Sequence, residues 1–246
     1  MKSFKNLEVK WGGGATRLKL KAFTLAEVLI TLGIIGVVAA ITLPTVMAKV
    51  ERNILKQQFK KAYSVYSQAL LKTVNDNDGV LNCYYAENED GSTTNTGQDI
   101  SGCIDFFENF AQNLKIIKKC DGNALADGCL PIYTEYKANG DAECSGFTEE
   151  AFNVKNLVYV LADGTILMPF AEPNRAYFMP IFAIDINGKK GPNKPGFDLF
   201  SLKFSRTAKG MYRLNSIKNS NNGSEGTNAC LPYLDGRLTF EEIMFE

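Results

Sequence analysis

Apolar residues fill positions 22–48 almost without interruption (AFTLAEVLITLGIIGVVAAITLPTVMA), and Glu27 is the one charge among them. The 21 residues from 28 to 48 carry no charge at all. At a rise of about 1.5 Å per residue, a helix of that length covers a hydrocarbon core of about 30 Å. After Lys49 the pattern changes to an apolar residue every three or four positions (Val50, Ile54, Phe59, Tyr63, Tyr66, Leu70, Val74), with Lys, Arg, Gln and Ser between them. That spacing predicts an amphipathic continuation of the same helix, ended by the turn-forming run Asn75, Asp76, Asn77, Asp78 and Gly79. One helix over residues 24–75 follows, apolar all round in its first half and striped in its second. Pro44 removes a backbone donor and is expected to kink or loosen it, while Gly33 and Gly36 let neighbouring helices approach closely.

Helical spacing returns at Ile104, Phe107, Phe110, Leu114 and Ile117, which predicts a second helix over 104–119. The segment before it, ENEDGSTTNTGQD, reads as a polar loop. From residue 154 onward the period shortens. LVYVL at 157–161, a turn at Asp163 and Gly164, and TILM at 165–168 predict a hairpin, because Asp-Gly suits the positive φ of a tight turn. Further strands are expected at 181–186, 197–204 and 211–214. The fold class is α+β: a long N-terminal helix whose second half packs on a C-terminal antiparallel sheet.

Charge sharpens this division. The whole chain is formally neutral, but residues 1–22 carry +5 and the remainder −5. The leader has no apolar periodicity and reads as a targeting segment, giving three parts: a leader at 1–22, a spanning segment at 23–48 and an exported head at 49–246. Its cations favour a cytoplasmic N-terminus, although Lys49, Arg52, Lys56, Lys60 and Lys61 flank the other end. The acidic remainder argues against binding nucleic acid through a general basic surface. All six cysteines (Cys83, Cys103, Cys120, Cys129, Cys144 and Cys230) follow the apolar segment, and an even number there fits an oxidising compartment. Cys83 with Cys103 and Cys120 with Cys129 are the local pairings, with other connectivities open. The sequence has no histidine, which excludes Ser-His and Cys-His nucleophile pairs and His-ligated zinc. With no phosphate loop joining a strand to a helix, the chain reads as a non-enzyme.

Residues 21–44, KAFTLAEVLITLGIIGVVAAITLP, resemble the N-terminal processing and methylation segment of type IV pilins and of the pseudopilins of type II secretion systems. The resemblance implies cleavage by a prepilin peptidase between Ala22 and Phe23, methylation of the new amine, and a role for Glu27, now fifth in the mature chain, in pairing with the amine of a neighbouring copy. Pro44 falls where that family often places a helix-kinking proline. Ala22 departs from the glycine usual before the cut. The implied partners are copies of this chain or related pilins, the peptidase and an inner-membrane assembly platform. The implied location is the bacterial inner membrane, single-pass, with the head in the periplasm or exterior and a filament after assembly. The alternatives are a minor tip subunit that grips DNA, a surface or an export substrate, a membrane-anchored domain, and a secreted domain released at Ala48.

One loop looks like a site. Asp185, Asn187 and Asp198 bracket a Gly- and Pro-rich stretch with hard oxygen ligands suited to Ca²⁺. The run Gly196-x-Asp198-x-Phe200-Ser201 is similar to the calcium loop of major pseudopilins. An Asp-x-Asn-Gly run also makes an ordinary turn. No other cofactor is expected.

Overall fold

The computed structural model describes residues 23–88, 93–99, 102–133, 157–171, 178–193, 197–216 and 244. The chain forms two compact units, Met1–Lys49 and Val50–Glu246. Helix α1 (Leu25–Asp76) is 52 residues long and stays helical through Pro44. In the first unit its large apolar side chains are exposed, for example Ile30 at 62% and Ile41 at 71%. A side-chain carbon added at Gly33 or Gly36 would meet nothing within 4 Å. This is the one helix among the described residues long and apolar enough to cross a membrane.

In the second unit α1 turns one stripe inward. Its buried residues are Leu55, Phe59, Ala62, Tyr66, Ala69, Leu70 and Thr73, a spacing of three and four. The sequence pattern placed this stripe partly wrongly. Val50 and Ile54 are about half exposed, at 52% and 51%, and Tyr63 and Val74 sit at the margin of the core. Ala62 and Ala69 take the central positions instead, because small side chains let the helix backbone come close to the sheet.

Helix α2 (Cys103–Gln112) is shorter than expected. Asn113 caps it with φ −88° and ψ 3°, and the β-branched pair Ile116 and Ile117 enters strand β3 (Ile116–Asp121). The other strands are β1 (Tyr84–Glu87), β2 (Thr93–Asp99), β4 (Leu157–Leu161), β5 (Ile166–Ala171), β6 (Phe178–Asp185), β7 (Leu199–Thr207) and β8 (Tyr212–Ser216). They form one sheet in the order β2-β1-β7-β6-β5-β4-β3, with β8 also on β7. The expected all-antiparallel sheet is in fact mixed, because β1 runs parallel to β7. The register explains how. Strand β6 pairs with β7 at residues 199–203 and β8 pairs at 202–206, so they hold opposite edges of β7. The β6 edge beyond residue 203 is left for β1, which pairs at Ser205, Arg206 and Thr207. Strand β2 lies within the stretch read as a polar loop.

Both faces of the sheet are covered. Toward the helices, Leu167, Phe182, Ile184, Phe200, Leu202 and Phe204 join the α1 stripe and the phenylalanines of α2. Phe182 stacks on Phe204 at 4.8 Å, Phe59 meets Phe200 edge-on at 4.6 Å, and Tyr66 lies 5.9 Å from Phe182. On the other face Val158, Ile166, Met168, Ile181, Ala183 and Leu199 pack under Ala124 and Leu130, a segment tied down by the Cys120–Cys129 disulfide. Burial on both faces is why β4 and β6 read as continuous apolar runs. The second disulfide joins Cys83 to Cys103; Cys144 and Cys230 lie outside the described residues.

Phe182→Ala removes a fully buried ring and is expected to cost about 3–5 kcal/mol. Ile54→Ala, on the exposed side of α1, should change stability by less than about 0.5 kcal/mol. Urea unfolding of the detergent-solubilised chain, followed by near-UV circular dichroism, separates the two.

Candidate functional site

Two places carry chemistry. The first is the start of α1. Ala22 lies outside the described residues, and Phe23 is 85% exposed. Thr24 and Glu27 bond to each other in both directions. The Thr24 backbone N–H donates to Glu27 Oε2 at 2.8 Å, the Thr24 hydroxyl donates to the same oxygen at 2.9 Å, and the Glu27 N–H donates to Thr24 Oγ1 at 3.2 Å. This is a capping box, which satisfies amides that the first turn of a helix leaves without partners. No cation lies near Glu27 in the sequence of the segment, and its partners within the chain are instead a hydroxyl and an amide. The spacing Thr-x-x-Glu was the available signal, and it makes Thr24 a member of the site. Pro44 lies within α1, well apart in sequence from this pair.

The second place is the loop between β6 and β7. Asp185 closes β6 opposite Leu199, the first residue of β7, and the Ile186 N–H donates to the Asp198 carbonyl at 2.9 Å, so the loop is pinned at its base. A 3₁₀ turn follows at Gly188–Lys190. Asp185 Oδ1 accepts from the Asn187 N–H at 3.2 Å and the Gly188 N–H at 2.7 Å. The Asn187 side-chain amide donates to the Gly191 carbonyl at 2.7 Å. The Asn193 N–H donates to Asp198 Oδ2 at 2.7 Å.

These bonds leave acceptors over. Asp185 Oδ2, Asn187 Oδ1 and Asn193 Oδ1 are buried without a hydrogen-bond partner, and Asp185 and Asp198 are both fully buried. Three such acceptors in one loop, with the Tyr133 hydroxyl beside the Asp185 carboxyl, are a set that an ordered water or a cation satisfies. Oxygen-only donors match a hard divalent ion such as Ca²⁺. The leftover oxygens belong to Asp185, Asn187 and Asn193, the last not singled out by sequence reasoning although it stands in the same stretch, while Asp198 is the buried carboxylate that accepts from the Asn193 N–H. Among the described residues no group of three or more His, Cys, Asp or Glu side chains comes together. Two carboxylates supplemented by amide oxygens belong to the weak end of calcium affinities.

The electrostatics show how burial and a second carboxylate disfavour the charged form of Asp185. Burial first, and the neighbouring Asp198 charge second, push the Asp185 carboxyl up to about 7, against the pull of the Asn187 and Gly188 amides and, last, the nearby Tyr133 hydroxyl. Gly188 has φ +62° and lies so near the β4–β5 turn that a side-chain carbon there would sit 2.2 Å from the Gly164 carbonyl oxygen. Only glycine fits.

The chain matches no protein-family model, no curated protein and no solved structure.

A raised carboxyl pKa binds a proton in the folded state that the unfolded state has already released. In chelator, the Asp185 contribution to stability is therefore fully present below its ordinary value of 3.8 and lost as pH rises toward about 7. The slope is at most about 1.4 kcal/mol per pH unit. Urea midpoints measured in chelator between these limits should fall with pH for the native chain and stay nearly level for Asp185→Asn.

Proposed function

We propose that this chain is a structural subunit of a type IV pilus or type II secretion pseudopilus, held in the bacterial inner membrane until its N-terminal helix is drawn into a filament. The observation that carries this reading is the first half of α1, apolar and exposed on all sides with a single carboxylate one turn from its start, behind a segment that resembles the prepilin processing site. The capping box with Thr24 gives that carboxylate a use within its own helix, but its charge still costs a few kcal/mol in lipid without a cation to offset it.

Assembly then follows from the residues. Cleavage between Ala22 and Phe23 removes the cationic leader and creates an ammonium group four residues before Glu27. Glu27 Oε2 is engaged by Thr24 in its own chain, and Oε1 is the oxygen we assign to the amine of a neighbouring copy. The apolar surfaces on either side bundle with those of other copies, with Gly33 and Gly36 at open positions where backbones can approach. The head, braced by its disulfides, faces the periplasm or exterior. Asp185, Asn187, Asn193 and Asp198 hold Ca²⁺ there, which neutralises two buried carboxylates and fixes the loop; the ion is structural and no reaction is assigned to it.

Three measurements test the reading. Intact mass and N-terminal sequencing of the protein from its native membranes should give a chain beginning at methylated Phe23. A start at Lys49 would instead make this a secreted domain. Glu27→Ala should still be processed and inserted but should lower filament yield at least about tenfold, in keeping with the loss of a charge pair out of water. Calorimetric titration of the full chain with CaCl₂ should show one site with Kd between about 10⁻⁴ and 10⁻³ M, abolished by Asp185→Ala.

A further inference from the structure

The loop at 185–198 does not stand alone. On its inner side Gly188 touches the Gly164 carbonyl, and Gly164 belongs to the β4–β5 turn at residues 162–165. The other side of that turn is held by α1. Asp163 accepts an ion pair from Lys61 at 3.3 Å, and the Tyr66 hydroxyl donates to Thr165 Oγ1 at 3.4 Å. The turn is itself braced, since Asp163 Oδ1 accepts from both the Thr165 hydroxyl at 2.8 Å and the Thr165 N–H at 3.2 Å. We propose that Lys61 and Tyr66 of α1 are positioning residues for the oxygen cluster of the 185–198 loop, acting on it through the β4–β5 turn. This rests on the calcium reading of that loop.

The charges are arranged to keep the link intact. Burial works to raise the Asp163 carboxyl, but the Thr165 bonds and Lys61 together hold it below the usual carboxylate range, so it remains an acceptor. Burial of Tyr66, with the negative charges of Asp163 and Asp185 adding to it and the Thr165 bond opposing, raises its hydroxyl well above an ordinary phenol, so it remains a donor. The contact at the far end is backbone on backbone and has no flexible side chain to absorb a shift. A displaced turn therefore displaces Gly188, whose N–H orients Asp185 Oδ1. Coupling of this kind is reciprocal: whatever α1 contributes to ion affinity, the ion returns as stability of the α1 contact.

A pair of α1 hydroxyls provides the test. Tyr66→Phe removes the bond to the turn, and Tyr63→Phe removes a bond of the same kind, from the Tyr63 hydroxyl to the Leu214 carbonyl at 2.9 Å, away from the turn. CaCl₂ titration of the full chain in detergent micelles should show affinity weakened about threefold by Tyr66→Phe, as the net worth of one hydrogen bond implies, and unchanged by Tyr63→Phe. Asp163→Ala, a change at the partly exposed end of the turn, should weaken binding by at least as much. Urea unfolding in chelator checks that the two tyrosine variants lose similar ion-free stability. Equal affinities for the native chain, Tyr66→Phe and Asp163→Ala overturn the positioning role while leaving the ion site standing, and so does an equal loss in both tyrosine variants. Failure of the native chain to bind Ca²⁺ at millimolar concentration overturns both.

Discussion

The packing of the second half of α1 on the sheet is the contact from which the head takes its order. Phe59 and Tyr66 enter the sheet between Phe200 and Phe182, and Ala62 and Ala69 allow the helix axis to lie close enough for them to do so. Large side chains at both alanines would lift the helix and open the seam, while a large residue such as Leu71 stays exposed on the outward side. The three phenylalanines of α2 complete the same layer: Phe106, Phe107 and Phe110 all pack on Phe204. Thr73 enters this layer with its hydroxyl bonded to the Ala69 carbonyl of its own helix.

Much of this was legible in the sequence, and the failures have physical causes. The length of α1 could be read because the apolar run, the amphipathic run and the terminal turn each signal helix independently. The hairpin at Asp163 and Gly164 could be read because few residues accept that turn. The stripe on α1 was drawn from residue size, and size was the wrong criterion where close approach demands alanine. Strand β2 was missed because a strand rich in Thr and Asn has no apolar alternation to reveal it. The parallel pairing of β1 with β7 depends on how much of one strand edge another strand leaves uncovered, and nothing local in YYAE encodes that.

The candidate sites divide in the same way. Glu27 was conspicuous because it is a charge among apolar residues, yet its partner Thr24 was overlooked because the residues before it were being read for processing and not for helix capping. Asp185, Asn187 and Asp198 could be picked out by chemistry alone. Asn193 could not be separated from an ordinary turn residue until the fold withheld a donor from its side-chain oxygen. Burial is the information the sequence lacks here. The same four side chains on an open loop would be hydrated and would ask for nothing.

The Cys83–Cys103 bond sets how the head would carry a mechanical load. Tension applied to the two ends of the backbone passes from Cys83 to Cys103 directly through sulfur, so the chain between them carries no load. That closed ring contains β1 and β2, and with β1 one side of the parallel pairing to β7. Strand β1, held to β7 by three residue pairs, thus takes no tension along its own backbone, while the load falls on the rest of the sheet and the helix seam.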